Sequence, residues 1–433
     1  MPERDAQHSH LDRLERAYAE ALARHGFDGV LLYSGRPARH HGDDQYASFA
    51  AYGHFVHWTG QVGLAHCWLL VRPGEAPVLF LHAPEDFWHL PARLPDEPWV
   101  AHFRLEPRAT QAAPVLPPGR YAVAGDVTAA EAEAMGAEAN PPGLLADLDE
   151  IRVRKSDYEV GCLAEANRRA MAGHLAAREA FLAGGAAELD IQLAYLGAAR
   201  QRESELPYPN IVGLNAHGGV LHYQHYDLDP PERARSLLLD GGRRHRGYCA
   251  DITRTWPGPE ASPEFAPLIR GVTDLQQRLI ARLAPGVSYV ALHVQMHEEL
   301  ATLLVARGLY RGSSEAALAS GLTRAFCPHG LGHLLGVQVH DVAGRVAPDG
   351  TPLPPPADHP ALRLTRTLEA GMVVTMEPGL YVIPMLLAPH RHRREVDWGL
   401  VERLADHGGI RIEDNVLVTA EGPRNLTPGG PER

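Results

Sequence analysis

The sequence predicts an α+β fold in two parts. An N-terminal α/β domain spans residues 1–154, and a larger domain mixing helices and strands spans 155–433. Three observations carry this. The first third alternates helical and strand-like patterns. A break rich in proline and glycine, NPPGLLADLDEIRVRK, follows it. Beyond the break, long helical stretches are interleaved with short apolar runs, several of which end in or contain an acid.

Taken in order, LDRLERAYAEALARHG places Leu11, Leu14, Tyr18, Ala21 and Leu22 on one helical face, and Gly26 ends it. FDGVLLYSG reads as a strand. HCWLLV and PVLFLH flank RPGEA as a hairpin, and RYAVAGD is a further strand. The aromatic runs FVHW and DFWHL are expected in the core of this unit rather than in a site. The break itself reads as a linker, with the domain boundary between Asp149 and Lys155. Ser156 and Glu159 then form a capping box ahead of a long helix over Asp157–Leu182, stopped by Gly184-Gly185. Further on, IQLAYLGAARQR, VTDLQQRLIARL and LHVQMHEELATLLVARG are helical. SLLLD, YCADITRTW, MVVTMEPGLYV and GGIRIEDNVLVT are strand-like. VAPDGTPLPPPADHP is too dense in proline for regular structure.

Bulk properties narrow the function. With 45% hydrophobic and 22% charged residues, the composition is that of an ordinary globular protein. A net charge of -12 argues against nucleic acid as a partner. No apolar run approaches the roughly 18 residues of a membrane span, so no membrane partner is expected. The start, MPERDAQHSHLDRLER, lacks an apolar signal core. The cysteines at 67, 162, 249 and 327 are scattered, as in a reduced cytoplasm.

The chemistry begins at LLLDGGRRHRGYCADITRTWPG. If its two apolar runs pair about a turn centred on His245-Arg246, Asp240 faces Asp251, with Cβ atoms roughly 5 Å apart. Like charges that close are destabilising unless one is protonated or a cation lies between them. A hard divalent ion held by oxygens would meet that need. On these two residues alone, a solvent-facing aspartate and a turn-capping one fit equally well. Three more segments share the oddity. PHGLGHLLGVQVHD carries His329, His333 and His340, and its glycines favour a loop running into a strand over a helix. Glu377 ends an apolar strand in VVTMEPGLY. Glu413 lies in GGIRIEDNVLV on the same strand face as Arg411, with which it could simply pair. Four acids and one histidine at strand edges suit hard or borderline divalent metals. Four carboxylates carry four negative charges, so the cluster is neutral only around two divalent ions.

The order Asp, Asp eleven later, HGLGH, MEPG, IRIEDN resembles the pita-bread metallopeptidases. Within them it is most similar to the prolidases, the Xaa-Pro dipeptidases of proteobacterial type, which are themselves similar to organophosphorus acid anhydrolases. The longest matching stretches are LHYQHYDLDPPERARSLLLDGGRRHRGYCADITRTW and PHGLGHLLGVQVHDVAG. The resemblance thins at HRHRREVDW, after LLAP. It implies a pita-bread catalytic domain holding two divalent ions per chain, Mn2+ by family expectation. Asp240 would bind one ion, Asp251 and Glu413 would bridge both, and His333 and Glu377 would complete the second. Glu377 would also pass a proton to the leaving proline nitrogen. His222 and His340 would act at the scissile peptide, and His329 would contact substrate. Tyr208 and Arg411 would line the pocket, and Arg363 would hold the substrate's C-terminal carboxylate. The implied activity is hydrolysis of Xaa-Pro dipeptides by a cytoplasmic homodimer, with organophosphorus triesters as a promiscuous substrate. The alternatives are an aminopeptidase P acting on longer Xaa-Pro peptides, and an inactive binding module on the same fold.

Overall fold

The computed structural model of the protein describes residues 2–429. The chain forms two compact units, one of Met1–Cys162 with Arg246–Tyr248 and Pro348–Thr351, the other of the remaining residues.

The first unit opens with helix α1 (Pro2–His25). Its stripe of Leu11, Leu14, Tyr18, Ala21 and Leu22 is buried, as the 3.6-residue period requires. Each large side chain of the stripe contributes roughly 1.5–3 kcal/mol. Gly26 ends the helix at φ +67°. Strands β1 (Gly29–Tyr33), β2 (Trp68–Val71), β3 (Val78–His82), β4 (Arg104–Arg108), β5 (Tyr121–Ala124) and β6 (Ala137–Ala139) form one mixed sheet in the order β4-β3-β2-β1-β5-β6. β2 and β3 are antiparallel about RPGEA, as the sequence predicts. Helices α2 (Gly53–Thr59) and α3 (Ala129–Ala134) lie between strands. FVHW, in α2, is buried.

Two expectations for this region need correction. DFWHL is not core: Phe87 and Trp88 are 87% and 76% exposed. Pattern alone cannot say whether an aromatic run finds partners. The stretch read as a linker is helix α4 (Pro142–Val153), with Leu144 and Leu148 buried. Proline at the first helical position costs nothing, because that N–H has no intrahelical acceptor. The Ser156–Glu159 capping box forms as expected, with Ser156 N donating to Glu159 Oε2 at 2.8 Å and Glu159 N to Ser156 Oγ at 3.4 Å.

Beyond α4 come α5 (Asp157–Ala183), α6 (Glu188–Ala199), β7 (Ile211–Leu214), β8 (Ser236–Gly241), the short β9 (Arg244–His245) and β10 (Tyr248–Cys249), and β11 (Ile252–Pro257). Of these, Asp157–Cys162 and Tyr248 belong to the first unit and the rest to the second. Helices α7 (Phe265–Ile280), α8 (Tyr289–Ala306), α9 (Ser314–Ala319) and α10 (Leu322–Phe326) follow. Then come β12 (Val373–Met376), β13 (Gly379–Tyr381), α11 (Pro384–Leu387), α12 (Trp398–Ala405), β14 (Gly409–Arg411), β15 (Asp414–Thr419) and β16 (Gly422–Asn425). The strands assemble as β11-β8-β7, β12-β15-β16 and β13-β14. The proline-rich stretch 346–360 has no helix or strand.

The register at β8/β11 departs from expectation. Asp240 faces Thr253, two residues beyond Asp251. Arg246 (φ +49°) and Gly247 (φ +86°) both take positive φ, as a two-residue type I′ turn requires, so the turn centre lies one residue later than predicted. A shift of two along one strand preserves the face, so Asp251 still points to the side of Asp240.

Asp240 stays within β8, but the other three strands predicted to carry an acid are interrupted at that acid. Asp251 falls between β10 and β11, Glu377 between β12 and β13, and Glu413 between β14 and β15. A break releases the residue from the ladder, and its carboxylate can turn inward.

Candidate metal centre

Backbone pairing brings these breaks together. Asp240 faces Thr253 across β8/β11, and Thr253 bridges Glu413, which aligns three residues in a row. The histidine segment is a loop, as its glycines suggest, but the strand expected after it does not form beyond a single bridge from Leu334 to Val374; the loop itself runs antiparallel along β12. Glu377 N donates to Leu331 O (2.9 Å), Thr375 N to His333 O (3.0 Å) and Leu335 N to Val373 O (3.0 Å). His333 therefore sits opposite Thr375, and Glu377 two residues on shares that face. The loop lies this close because residue 332 is glycine: a Cβ there would fall 2.3 Å from the Thr375 carbonyl oxygen.

Every site residue expected from the sequence lines one cavity of about 550 Å³. The carboxylates of Asp240, Asp251, Glu377 and Glu413 and the ring of His333 are gathered along its wall. Tyr208, His222, His329, His340, Arg363 and Arg411 form the rest of the polar lining. Arg363, His222 and His340 are exposed, whereas Arg366 is buried and pairs with Glu369 at 3.2 Å.

The ligand atoms of Asp251, His333 and Glu413 lie within 4.8 Å of one another, and all three residues are buried. His333 Nε2 is 3.3 Å from Asp251 Oδ2 and 3.7 Å from Glu377 Oε1. Its Nδ1 donates to the Leu334 carbonyl at 3.0 Å, which fixes the ring and leaves the Nε2 lone pair of the neutral imidazole facing the acids, free to bind a metal. The Tyr208 hydroxyl bridges Asp240 and Asp251. Arg411 does not pair with Glu413. It donates to Asp240 Oδ2 (2.7 Å), to Thr253 Oγ1 (3.0 Å) and to the Tyr381 hydroxyl (2.8 Å). Thr253 Oγ1 in turn donates to Glu413 Oε2 at 2.6 Å.

Electrostatics match this crowding. Burial, then the charge of Asp251, pushes the Glu413 carboxyl well above the usual range, and burial pushes Glu377 up to about 7. Burial also raises Asp240, with the Arg411 cation opposing. Burial works to raise Asp251 too, but the hydrogen bond and charge of His333 prevail and hold it low. Burial would lower His333, but Asp251 and Glu377 outweigh it and raise the ring above its ordinary value. Burial holds His329 down to about 4, and partial desolvation together with the neighbouring His333 holds the more exposed His340 to about 4, so both are neutral imidazoles at neutral pH. Carboxylates whose charge is this costly, in an oxygen-rich set with one imidazole, fit hard or borderline divalent cations.

The supporting residues were not foreseen. Asn415 holds the interrupted strand at Asp251: its Oδ1 accepts from Asp251 N at 3.0 Å, and its Nδ2 donates to Asp251 O. Arg254 donates to the Glu413 carbonyl and to Asp414 Oδ1, each at 2.7 Å, in a fully buried ion pair. Tyr381 and Gly330 O engage the two nitrogens of His329, at 2.9 and 2.8 Å. The one available signal was position, since Asn415 and Asp414 directly follow Glu413 in the motif.

Comparison with known proteins agrees with this geometry. Residues 161–420 match the model of metallopeptidase family M24, and the chain belongs to that family. Residues 5–149 match the Xaa-Pro dipeptidase N-terminal domain. An Xaa-Pro dipeptidase of Marinobacter nauticus is 52% identical over 428 residues, 98% of this chain and 97% of that protein. One from Proteus mirabilis is 40% identical over 430 residues, covering 96% of each. In fold, a variant of Escherichia coli aminopeptidase P in complex with substrate superposes with a TM-score of 0.75 at 21% identity, covering 98% of this chain and 96% of that one. The pita-bread architecture expected from the sequence is thus the observed one.

Proposed function

We propose that the protein hydrolyses the peptide bond of Xaa-Pro dipeptides, using divalent metal ions held by Asp240, Asp251, His333, Glu377 and Glu413. The observation that carries this reading is the cavity itself. Four carboxylates and His333 share one wall, and the exposed cation of Arg363 belongs to the same lining. The donor set calls for two ions per chain, because two dications balance four carboxylates, and by resemblance to prolidases those ions are manganese. Such ions would lower the pKa of a water and polarise a carbonyl.

The chain's own groups do the rest. Tyr208 and Arg411 fix Asp240, and Thr253 fixes Glu413, so the ligands are positioned before an ion arrives. His340, neutral and beside His333 with ring centroids 4.5 Å apart, can donate an N–H to a developing oxyanion, as can His222. Glu377 Oε1 or Oε2 carries the proton to the leaving proline nitrogen. Arg363 grips the C-terminal carboxylate in a two-pronged hydrogen bond, which restricts the substrate to dipeptides. Residues 155–433 form the catalytic domain and 1–154 a separate one. Four buried free cysteines suit a reducing cytoplasm. By resemblance to prolidases the working form is a homodimer. Hydrolysis of Gly-Pro and Gly-Pro-Ala, measured side by side, tests the reading. Cleavage of Gly-Pro alone is expected, and equal cleavage of the tripeptide would assign the cavity to an aminopeptidase P instead.

A further inference from the structure

A second cluster of metal-binding side chains lies outside this cavity. His293 and His297 stand one turn apart on the buried face of α8, and His359 reaches them from the end of the proline-rich stretch. The three rings meet with centroids 4.4 to 4.8 Å apart, and one nitrogen from each lies within 4.8 Å of the others. None of the three lines the catalytic cavity.

The pattern is odd for a core. The neighbours of these histidines on the helix face are Leu292, Met296 and Leu300, any of which would fill the space without polar atoms. His293 and His297 are only 1% and 2% exposed. Yet both ring nitrogens of His293 and Nδ1 of His297 have no hydrogen-bond partner among the described residues. A buried polar atom normally finds a partner, so unpartnered nitrogens on two adjoining buried rings, with one nitrogen of each of the three rings within 4.8 Å of the others, point to a missing one. Burial holds His293 down to about 2 and His297 to about 3, and lowers His359 as well. All three therefore offer free lone pairs at neutral pH.

We infer that His293, His297 and His359 bind a borderline divalent ion of the zinc class, separate from the carboxylate-rich centre. Three neutral imidazoles with no carboxylate among them exclude the hard ions that the main cavity suits. The Arg324 guanidinium bears on His297 and His359, with the Asp358 carboxylate opposing it more weakly at His359 alone. A cation held by charge alone would be repelled there, whereas one held by imidazole donor strength tolerates it. His359 is partly exposed, which gives the ion an entry path and a fourth position for water. Its backbone N donates to Pro356 O (2.8 Å) and its carbonyl accepts from Leu362 N (3.1 Å). A bound ion would thus pin the 356–362 turn to helix α8, just before Arg363.

The full-length protein, stripped by chelator, reloaded with excess zinc and desalted, tests this by metal counting. Wild type should retain one more zinc per chain than His359→Asn or His297→Asn, whatever the main centre holds. Cobalt(II) loading should give a visible d–d absorption in the wild-type-minus-variant difference spectrum. Zinc should raise the melting temperature of wild type more than that of His359→Asn. His359→Asn alters a partly exposed loop residue, so it decides the matter even if His297→Asn fails to fold. Equal zinc counts in wild type and His359→Asn would overturn the inference.

Discussion

Thr253→Val is the most informative single change at the main centre. Thr253 is fully buried and its hydroxyl does two jobs, accepting from Arg411 Nε at 3.0 Å and donating to Glu413 Oε2 at 2.6 Å. Valine keeps the shape and the β-branched strand preference, so packing is preserved. It strands a guanidinium N–H and removes one donor from a carboxylate. Each such bond to a charged group is worth about 1.5–3 kcal/mol, so the pair sets an upper bound of about 3–6 kcal/mol on the loss. An ion bound at Glu413 would recover part of this, and partners of metal ligands typically change affinity or activity by about 10–100-fold. The expected result is therefore a drop of that size in kcat/KM for Gly-Pro and in metal affinity by titration. Thr253→Ser keeps the hydroxyl and should stay within about threefold of wild type. If valine and serine variants bind metal and turn over alike, Thr253 does not position Glu413, and the Asp240–Thr253–Glu413 row is only scaffolding.

Asp251→Asn should reduce activity to background while circular dichroism stays native, since Asn415 still holds the backbone there. More than about a tenth of wild-type turnover, roughly 1.4 kcal/mol of barrier, would remove Asp251 from the ligand set. Arg363→Ala should raise KM for Gly-Pro and narrow the difference between Gly-Pro and its C-terminal amide; an unchanged acid-to-amide ratio of kcat/KM places carboxylate recognition elsewhere. Stability should also depend on pH through His174, which is buried with Nε2 3.0 Å from Gly241 O. Burial holds it down to about 3 against an ordinary 6.5, so the unfolded chain binds the proton first. Its effect is absent above pH 6.5 and grows as pH falls toward 3, by about 1.4 kcal/mol per unit. Urea midpoints at pH 6.5 and 5 should fall less for His174→Gln than for wild type, and parallel slopes would contradict this.

Much of this molecule is legible in its sequence, for definable reasons. The buried stripe of α1 and the Ser156–Glu159 box are local patterns, and local patterns survive folding. The acids at 240, 251, 377 and 413 stood out because apolar strands do not carry carboxylates without cause. What failed was non-local or depended on fine turn geometry. The β8/β11 register turned on whether Arg246-Gly247 or His245-Arg246 occupies the positive-φ positions, and both pairs lie in the same basic loop. The exposed Phe87 and Trp88 show that hydrophobicity does not guarantee a partner. Pro142 reads equally as a linker residue or a helix start. Thr253, Asn415 and Tyr381 were invisible as supporting residues because a hydroxyl or amide in a strand gives no sign of what it faces. Their roles arise only when β8, β11 and the β14–β15 break converge.

The central claim is that these acids and His333 work by holding two divalent ions. Metal-stripped protein titrated with Mn2+, with Gly-Pro hydrolysis followed at each addition, tests it directly. The account predicts no turnover in stripped protein and a rise that breaks at two equivalents per chain. Full activity in the stripped protein, or saturation at one equivalent, would contradict it.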